Sequence, residues 1–207
     1  WINQAYTLVC LGRFDEAFGA ADRAIQLQGN SPSAWLAKGN ALKGMHALGQ
    51  AADAFVQGLQ VSPEHRELKT SLANTKRELG QVDEAISMLR EIVGQFPDFA
   101  EAQRDLAHAL LLSGDYLEGW KQNRWRWQTN SLIGGERHQT VPEWTGQTLT
   151  GKRILLWDEQ GFGDAIQFVR FVSWVAESGA EVVLEVQPEL VKLFQTVNGV
   201  GIVIARG

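Results

Sequence analysis

The chain has 207 residues, of which 44% are hydrophobic and 21% charged, with a net charge of −5. This composition argues for a folded chain, and the lack of a basic block argues against duplex nucleic acid or anionic membrane as main partners, because phosphate surfaces are held by clustered Lys and Arg. No apolar run approaches the ~18 residues of a membrane span. No secretory signal pattern is present, and the single cysteine, Cys10, excludes an intrachain disulfide, so a reducing, cytoplasmic setting is expected. The chain starts at Trp1 and stops at "GVGIVIARG", a strand just finished, which reads as a piece of a longer protein.

Residues 1–128 repeat with a step of 34. Trp1, Trp35, Lys69 and Gln103 share one phase; Ala17, Ala51, Ala85 and Gly119 share another; Phe14, Leu48, Val82 and Tyr116 a third. Each unit reads as helix, tight turn, helix, as in "GRFDEAFGAADRAIQL" and "GQVDEAISMLREIVGQFP". The small residue lets two helices approach, and the larger residue three positions before it is predicted to plug the turn. A single helix pair cannot bury its apolar face, so neighbouring pairs are predicted to stack into a solenoid with a concave surface.

The period and helix pairing resemble the tetratricopeptide repeat, over residues 1–127 and about four repeats. Lys69 and Gln103 depart from that pattern where a large apolar residue is usual, and Gly119 replaces Ala. The first helix of each pair is expected to line the concave face. Its rows are Tyr6, Asn40, Asn74 and His108; then Leu36, Thr70 and Arg104; then Val9, Lys43, Arg77 and Leu111. An Asn carboxamide both donates and accepts, so stacked Asn side chains suit an extended peptide backbone. The candidate peptide groove is therefore Tyr6, Asn40, Lys43, Asn74, Arg77, Arg104 and His108, with a protein or peptide as partner. The alternative is a solvated inner face without a ligand.

Residues 129–150 lose all periodicity and are read as a linker rich in Gly, Pro and Thr. Six of the eight tryptophans lie between Trp120 and Trp174. Trp120, Arg124 and Trp127 have helical spacing on one face. Such rings either stack on sugars or glue the solenoid to the segment C-terminal to it.

Residues 151–207 change period. "RILLW" suits a strand buried on both faces, residues 164–178 a helix, "EVVLEV" a strand, "PELVKLFQTV" a helix begun by proline and "GIVIA" a third strand. Alternation of this kind predicts a partial Rossmann-like parallel sheet with right-handed crossovers. Helix 164–178 is apolar nearly all round and is expected to be buried over most of its circumference. The strand Arg153–Trp157 is expected to lie at an edge and to invite pairing with another chain.

The loop "EQGFGD" comes after the first strand, where parallel sheets bind ligands. Gln160, Gly161 and Gly163 are the candidate substrate-binding loop, the glycines permitting close approach of backbone to ligand. Ile166 stands where the third glycine of a dinucleotide fingerprint belongs, which argues against nicotinamide or flavin. Asp164 is open to two readings. It is an N-cap, a favoured use of Asp, or a general base at the rim of a cleft. The histidines at 46, 65, 108 and 138 have no metal-ligand spacing, and no metal site is expected.

Most of residues 142–194 resemble the segment C-terminal to the repeats in bacterial tetratricopeptide–glycosyltransferase proteins. Trp144, Gly146, Leu149, Gly151, Lys152, "EQGFGDAIQFVR" and "GAEVVLEVQ" carry the resemblance. The "GD" before an apolar helix is also similar to the start of lipopolysaccharide heptosyltransferases. The resemblance implies the opening part of a two-domain GT-B fold, with Asp164 as base on an acceptor hydroxyl and repeats that present a protein acceptor. It also implies a nucleotide-sugar donor for the longer protein, no cofactor in this chain, and no activity in this chain alone.

Overall fold

The computed structural model describes residues 1–27, 31–129, 141–159 and 161–207. The chain divides into two compact units, Trp1–Leu132 and Ile133–Gly207.

The first unit is a run of helix pairs: α1 (Ile2–Cys10) with α2 (Phe14–Leu27), α3 (Pro32–Gly44) with α4 (Leu48–Val61), α5 (Arg66–Glu78) with α6 (Val82–Gln95), and α7 (Ala100–Ser113) with α8 (Tyr116–Gln122). The turn inside every pair is the same. Gly12, Gly80 and Gly114 adopt φ of 71°, 82° and 92°, and His46 takes the equivalent place with φ 59°. The residue after each donates its N–H to a carbonyl five back, Arg13 to Leu8, Ala47 to Leu42, Gln81 to Lys76 and Asp115 to Leu110, at 2.9–3.0 Å. This left-handed closure satisfies carbonyls that the helix end would leave bare.

Close packing explains the small row. Ala17, Ala51 and Ala85 are fully buried. At the fourth position a Cβ would lie 2.8 Å from the Leu111 side chain, so Gly119 is what fits. Gly39 is more constrained still, because a Cβ there would sit 2.2 Å from the buried ring of Phe55. Phe14, the first residue of α2, sets its ring against Gly44 at the end of α3 in the next repeat. Tyr116 does not plug the fourth turn and is 65% exposed.

The helical register of Trp120, Arg124 and Trp127 is not kept. α8 ends at Gln122, and Asn123–Gln128 tightens into a 3₁₀ segment. In that tighter pitch Arg124 and Trp127 eclipse each other and turn away from Trp120, and the Arg126 guanidinium stacks over the Trp127 ring at 4.1 Å.

The second unit runs β1 (Arg153–Trp157), α9 (Phe162–Phe168), a 3₁₀ turn, α10 (Val172–Glu177), β2 (Glu181–Val186), a 3₁₀ turn from Pro188 to Leu190, α11 (Val191–Phe194) and β3 (Ile202–Ala205). Its three strands are parallel in the order β1-β2-β3. Ile154 pairs with Val182, Leu156 with Leu184, and Leu184 with Val203. Ile154, Val182, Leu184 and Val186 pack with Val172, Leu190 and Phe194 into one core. Arg153 and Glu181 form a forked ion pair across the open end of β1 and β2, at 2.9–3.1 Å.

This unit departs from its sequence pattern at two places. β1 is not buried on both faces: only Ile154 is buried and Arg153 is exposed. The helix expected over 164–178 begins at Phe162 and is broken by the 3₁₀ turn Val169–Phe171. Only Val172 on it is buried; Phe162, Ile166, Phe168 and Trp174 are 44–67% exposed. The break lets Phe168 stack on Phe171 and Trp174 tilt against Phe171, with ring centroids 6.2 and 5.1 Å apart, instead of turning into the core.

Candidate functional site

Successive first helices pack against each other, α1 on α3, α3 on α5 and α5 on α7, more closely than successive second helices do. The solenoid therefore curves toward the first helices, and their outward side chains share one continuous inner face.

The residues read as a groove occupy that face unevenly. Tyr6, Asn40, Lys43, Asn74, Arg77 and Arg104 are half-buried, and His108 reaches solvent. Leu36 and Thr70, expected to line a row with Arg104, are buried instead. Leu36 belongs to the core around Phe55 and Leu68, and the Thr70 hydroxyl donates to the Arg66 carbonyl at 2.8 Å. Leu111 packs against α8 beneath Gly119. The Tyr6 hydroxyl donates to the Ser33 carbonyl at 3.3 Å, and burial, aided by Glu67, raises its pKa.

Charge on the inner face is arranged across helices. The Lys43 ammonium on α3 meets Glu78 on α5 at 2.9 Å. Asp105 on α7 is 5% exposed, accepts from the Asn74 carboxamide on α5, and holds the Arg104 guanidinium at 2.8 Å. Because a carboxylate only accepts, Asp105 fixes the Asn74 amide with its nitrogen toward α7. The Asn74 Oδ1 and the Arg77 Nε are buried without a hydrogen-bond partner among the described residues. Desolvation lowers the pKa of His108; Asp105 opposes this, and Arg104 and Arg77 add to it. Asp105 carries no sequence signal of its own: it lies one position past the Arg104 row, so the 34-residue step does not single it out.

In the second unit Asp164 is the third residue of α9, not its N-cap. The cap position is Gly161, with φ −83° and no side-chain bond, and Asp164 is exposed. At that place a carboxylate is favoured by the helix dipole. Gly161 and Gly163 are also exposed, neither adopts a positive φ, and a Cβ at either would meet nothing within 4 Å. The chain's own packing therefore does not require glycine in this loop. Gln160 lies outside the described residues. The buried acid of the same loop is Asp158, which accepts from the Gln187 amide at 3.3 Å and faces Arg206 at 3.5 Å, so it ties the ends of all three strands together. Among the described residues no group of three His, Cys, Asp or Glu side chains could hold a metal, and no helix is long and apolar enough to cross a membrane.

The helix pairs, the shared left-handed turn and the small-residue row define a tetratricopeptide-repeat solenoid. The family model described as "Tetratricopeptide repeat" matches residues 76–118. The chain is 28% identical over 184 residues to the protein FlbA of Caulobacter vibrioides, covering 85% of this chain and 30% of FlbA. It is 26% identical over 113 residues to an Hsp70-Hsp90 organising protein of Plasmodium falciparum, covering 53% of this chain and 45% of that protein. The chain thus spans less than half the length of these relatives. Among solved structures it is similar to YrrB, a TPR protein with an unusual peptide-binding site, at 22% identity and TM-score 0.50 over 62% of this chain and 66% of that one. It is also similar to MamA, at 18% identity and TM-score 0.53 over 61% of this chain and 74% of that one. At these identities the likeness is one of fold.

Proposed function

We propose that this chain is a protein-interaction scaffold whose first helices bind an extended peptide along the Asn40–Asn74 row. The observation that carries the reading is the inner face itself. It is polar where a solenoid core is apolar, its side chains come from consecutive first helices, and Asn74 is oriented by a buried carboxylate rather than left free. An oriented amide loses little rotational freedom when a ligand arrives. Similarity to a protein named as an organiser of Hsp70 and Hsp90 supports the same class. Screening randomised extended peptides against the full chain by fluorescence anisotropy should yield binders whose affinity falls about tenfold or more in the Asn40→Ala, Asn74→Ala double variant, since each lost hydrogen bond costs about 1 kcal/mol. Unchanged affinity in that variant would place the binding surface elsewhere.

A second reading concerns the α/β unit: the acceptor-side opening of a glycosyltransferase, with Asp164 as base. The exposed carboxylate beside two glycines that the fold does not need, at the C-terminal end of a parallel strand, supports it. Turnover of a nucleotide sugar by a protein carrying this segment, unaffected by Asp164→Asn, would remove Asp164 from the chemistry.

A further inference from the structure

We propose that Arg77 receives an acidic side chain from within the bound segment, so that the scaffold selects peptides carrying an internal Asp or Glu. The inference rests on the peptide-groove reading and adds the chemistry of the ligand.

The other half-buried cations of α1–α7 are matched. Lys38 meets Asp22, Lys43 meets Glu78, Lys69 meets Glu64, Lys76 meets Glu84 and Arg104 meets Asp105, all within 2.7–2.9 Å. Arg77 meets no carboxylate within ion-pair distance among the described residues, and its Nε is buried with no acceptor. The acids of its surroundings are already engaged. Glu78, its neighbour in sequence, is drawn to Lys43, and Asp105 holds Asn74 and Arg104 through its two oxygens. His108 lies close enough to feel the Arg77 charge and is itself cationic or neutral, never a counter-ion. A partly buried guanidinium without a counter-ion bears a desolvation cost that an incoming anion offsets. A carboxylate matches its planar donor fork in charge and shape.

The position of Arg77 selects the source of the carboxylate. It stands on α5, the third of four first helices, with the inner face continuing over α3 and α1 on one side and α7 on the other. A peptide lying along the Asn40–Asn74 row passes Arg77 and goes on toward Arg104 and His108. The group presented there is a side chain in mid-segment, not a chain terminus.

The test uses the full chain and pools of short peptides, N-acetylated and C-amidated, randomised except for one central position fixed as Glu, Gln or Lys. A fourth pool has Gln at the centre and a free C-terminal carboxylate. Bound peptides are quantified by mass spectrometry. The Glu pool is expected to be retained about tenfold more than the Gln pool, and Arg77→Gln is expected to abolish the difference while Arg77→Lys, which keeps the charge and loses the fork, retains only part of it. Equal retention of Glu and Gln pools overturns the inference and leaves the groove standing. Discrimination that survives Arg77→Gln overturns it as well, as does stronger retention of the free C-terminal pool. Retention of no pool at all overturns both the inference and the groove. Circular dichroism of each variant verifies that the helices remain.

Discussion

The carboxamide of Asn74 on α5 donates to the carboxylate of Asp105 on α7, which binds two consecutive repeats across the inner face. Asp105 is nearly sealed from solvent and also neutralises Arg104, so one acid orients two candidate ligand contacts. Asp105→Ala should lower unfolding stability by about 2–3 kcal/mol, the scale of a lost charged hydrogen-bond network with partners left unpaired. Urea denaturation of the full chain measures this, and a loss below about 0.5 kcal/mol would mean that water replaces the carboxylate without cost.

The turn of the second repeat is the one occupied by a side chain. His46 is held at φ 59°, where the other repeats use glycine. A left-handed L-residue costs about 1–2 kcal/mol, and glycine's greater unfolded-state freedom returns roughly half of that. His46→Gly should therefore stabilise the repeats by about 0.5–1 kcal/mol. A shift of the urea midpoint to lower denaturant would contradict the turn geometry.

At Gly39 the expectation has the opposite sign. Helix propensity alone would make Gly39→Ala favourable by about 1 kcal/mol. The new methyl would instead meet the fully buried Phe55 ring, and overpacking of that kind costs about 1–3 kcal/mol. Net destabilisation is expected; a more stable variant would show that Phe55 has room to turn away.

The titration of His108 gives a pH dependence with a defined sign. Desolvation, with Arg104 and Arg77 and against Asp105, makes the folded imidazole bind its proton less readily than the unfolded one. The unfolded chain then holds more protons just below about pH 6.5, so stability is complete above that value and declines as pH falls through the lowered folded pKa. His108→Gln should flatten the urea midpoint between about pH 7 and pH 5. Parallel curves for the two proteins would mean that His108 titrates alike in both states.

The repeat architecture is legible in the sequence because its signals are local and periodic. The 34-residue step marks the turns, the small row and the helix pairs, and each of those is decided by neighbouring backbone sterics. Periodicity extended beyond those positions misleads. Leu36 and Thr70 share a phase with Arg104 yet are buried: Leu36 joins the core around Phe55 and Leu68, and the Thr70 hydroxyl turns back to the Arg66 carbonyl. The apolar run of 162–177 has the composition of a buried helix, but composition does not record a break in pitch; the 3₁₀ turn at Val169–Phe171 sends its aromatic rings outward. Asp105 and Asp158 are invisible as organisers in the sequence, because their importance lies in partners 31 and 29 positions away.

The bridges Lys43–Glu78 and Asn74–Asp105 both span adjacent first helices, on the side toward which the solenoid bends. Tension along its length would open that side first, so these contacts act as guy-lines that set its elasticity. A scaffold so braced stretches more easily in concentrated salt, which weakens the ionic tether between Lys43 and Glu78 before it touches the apolar contacts behind.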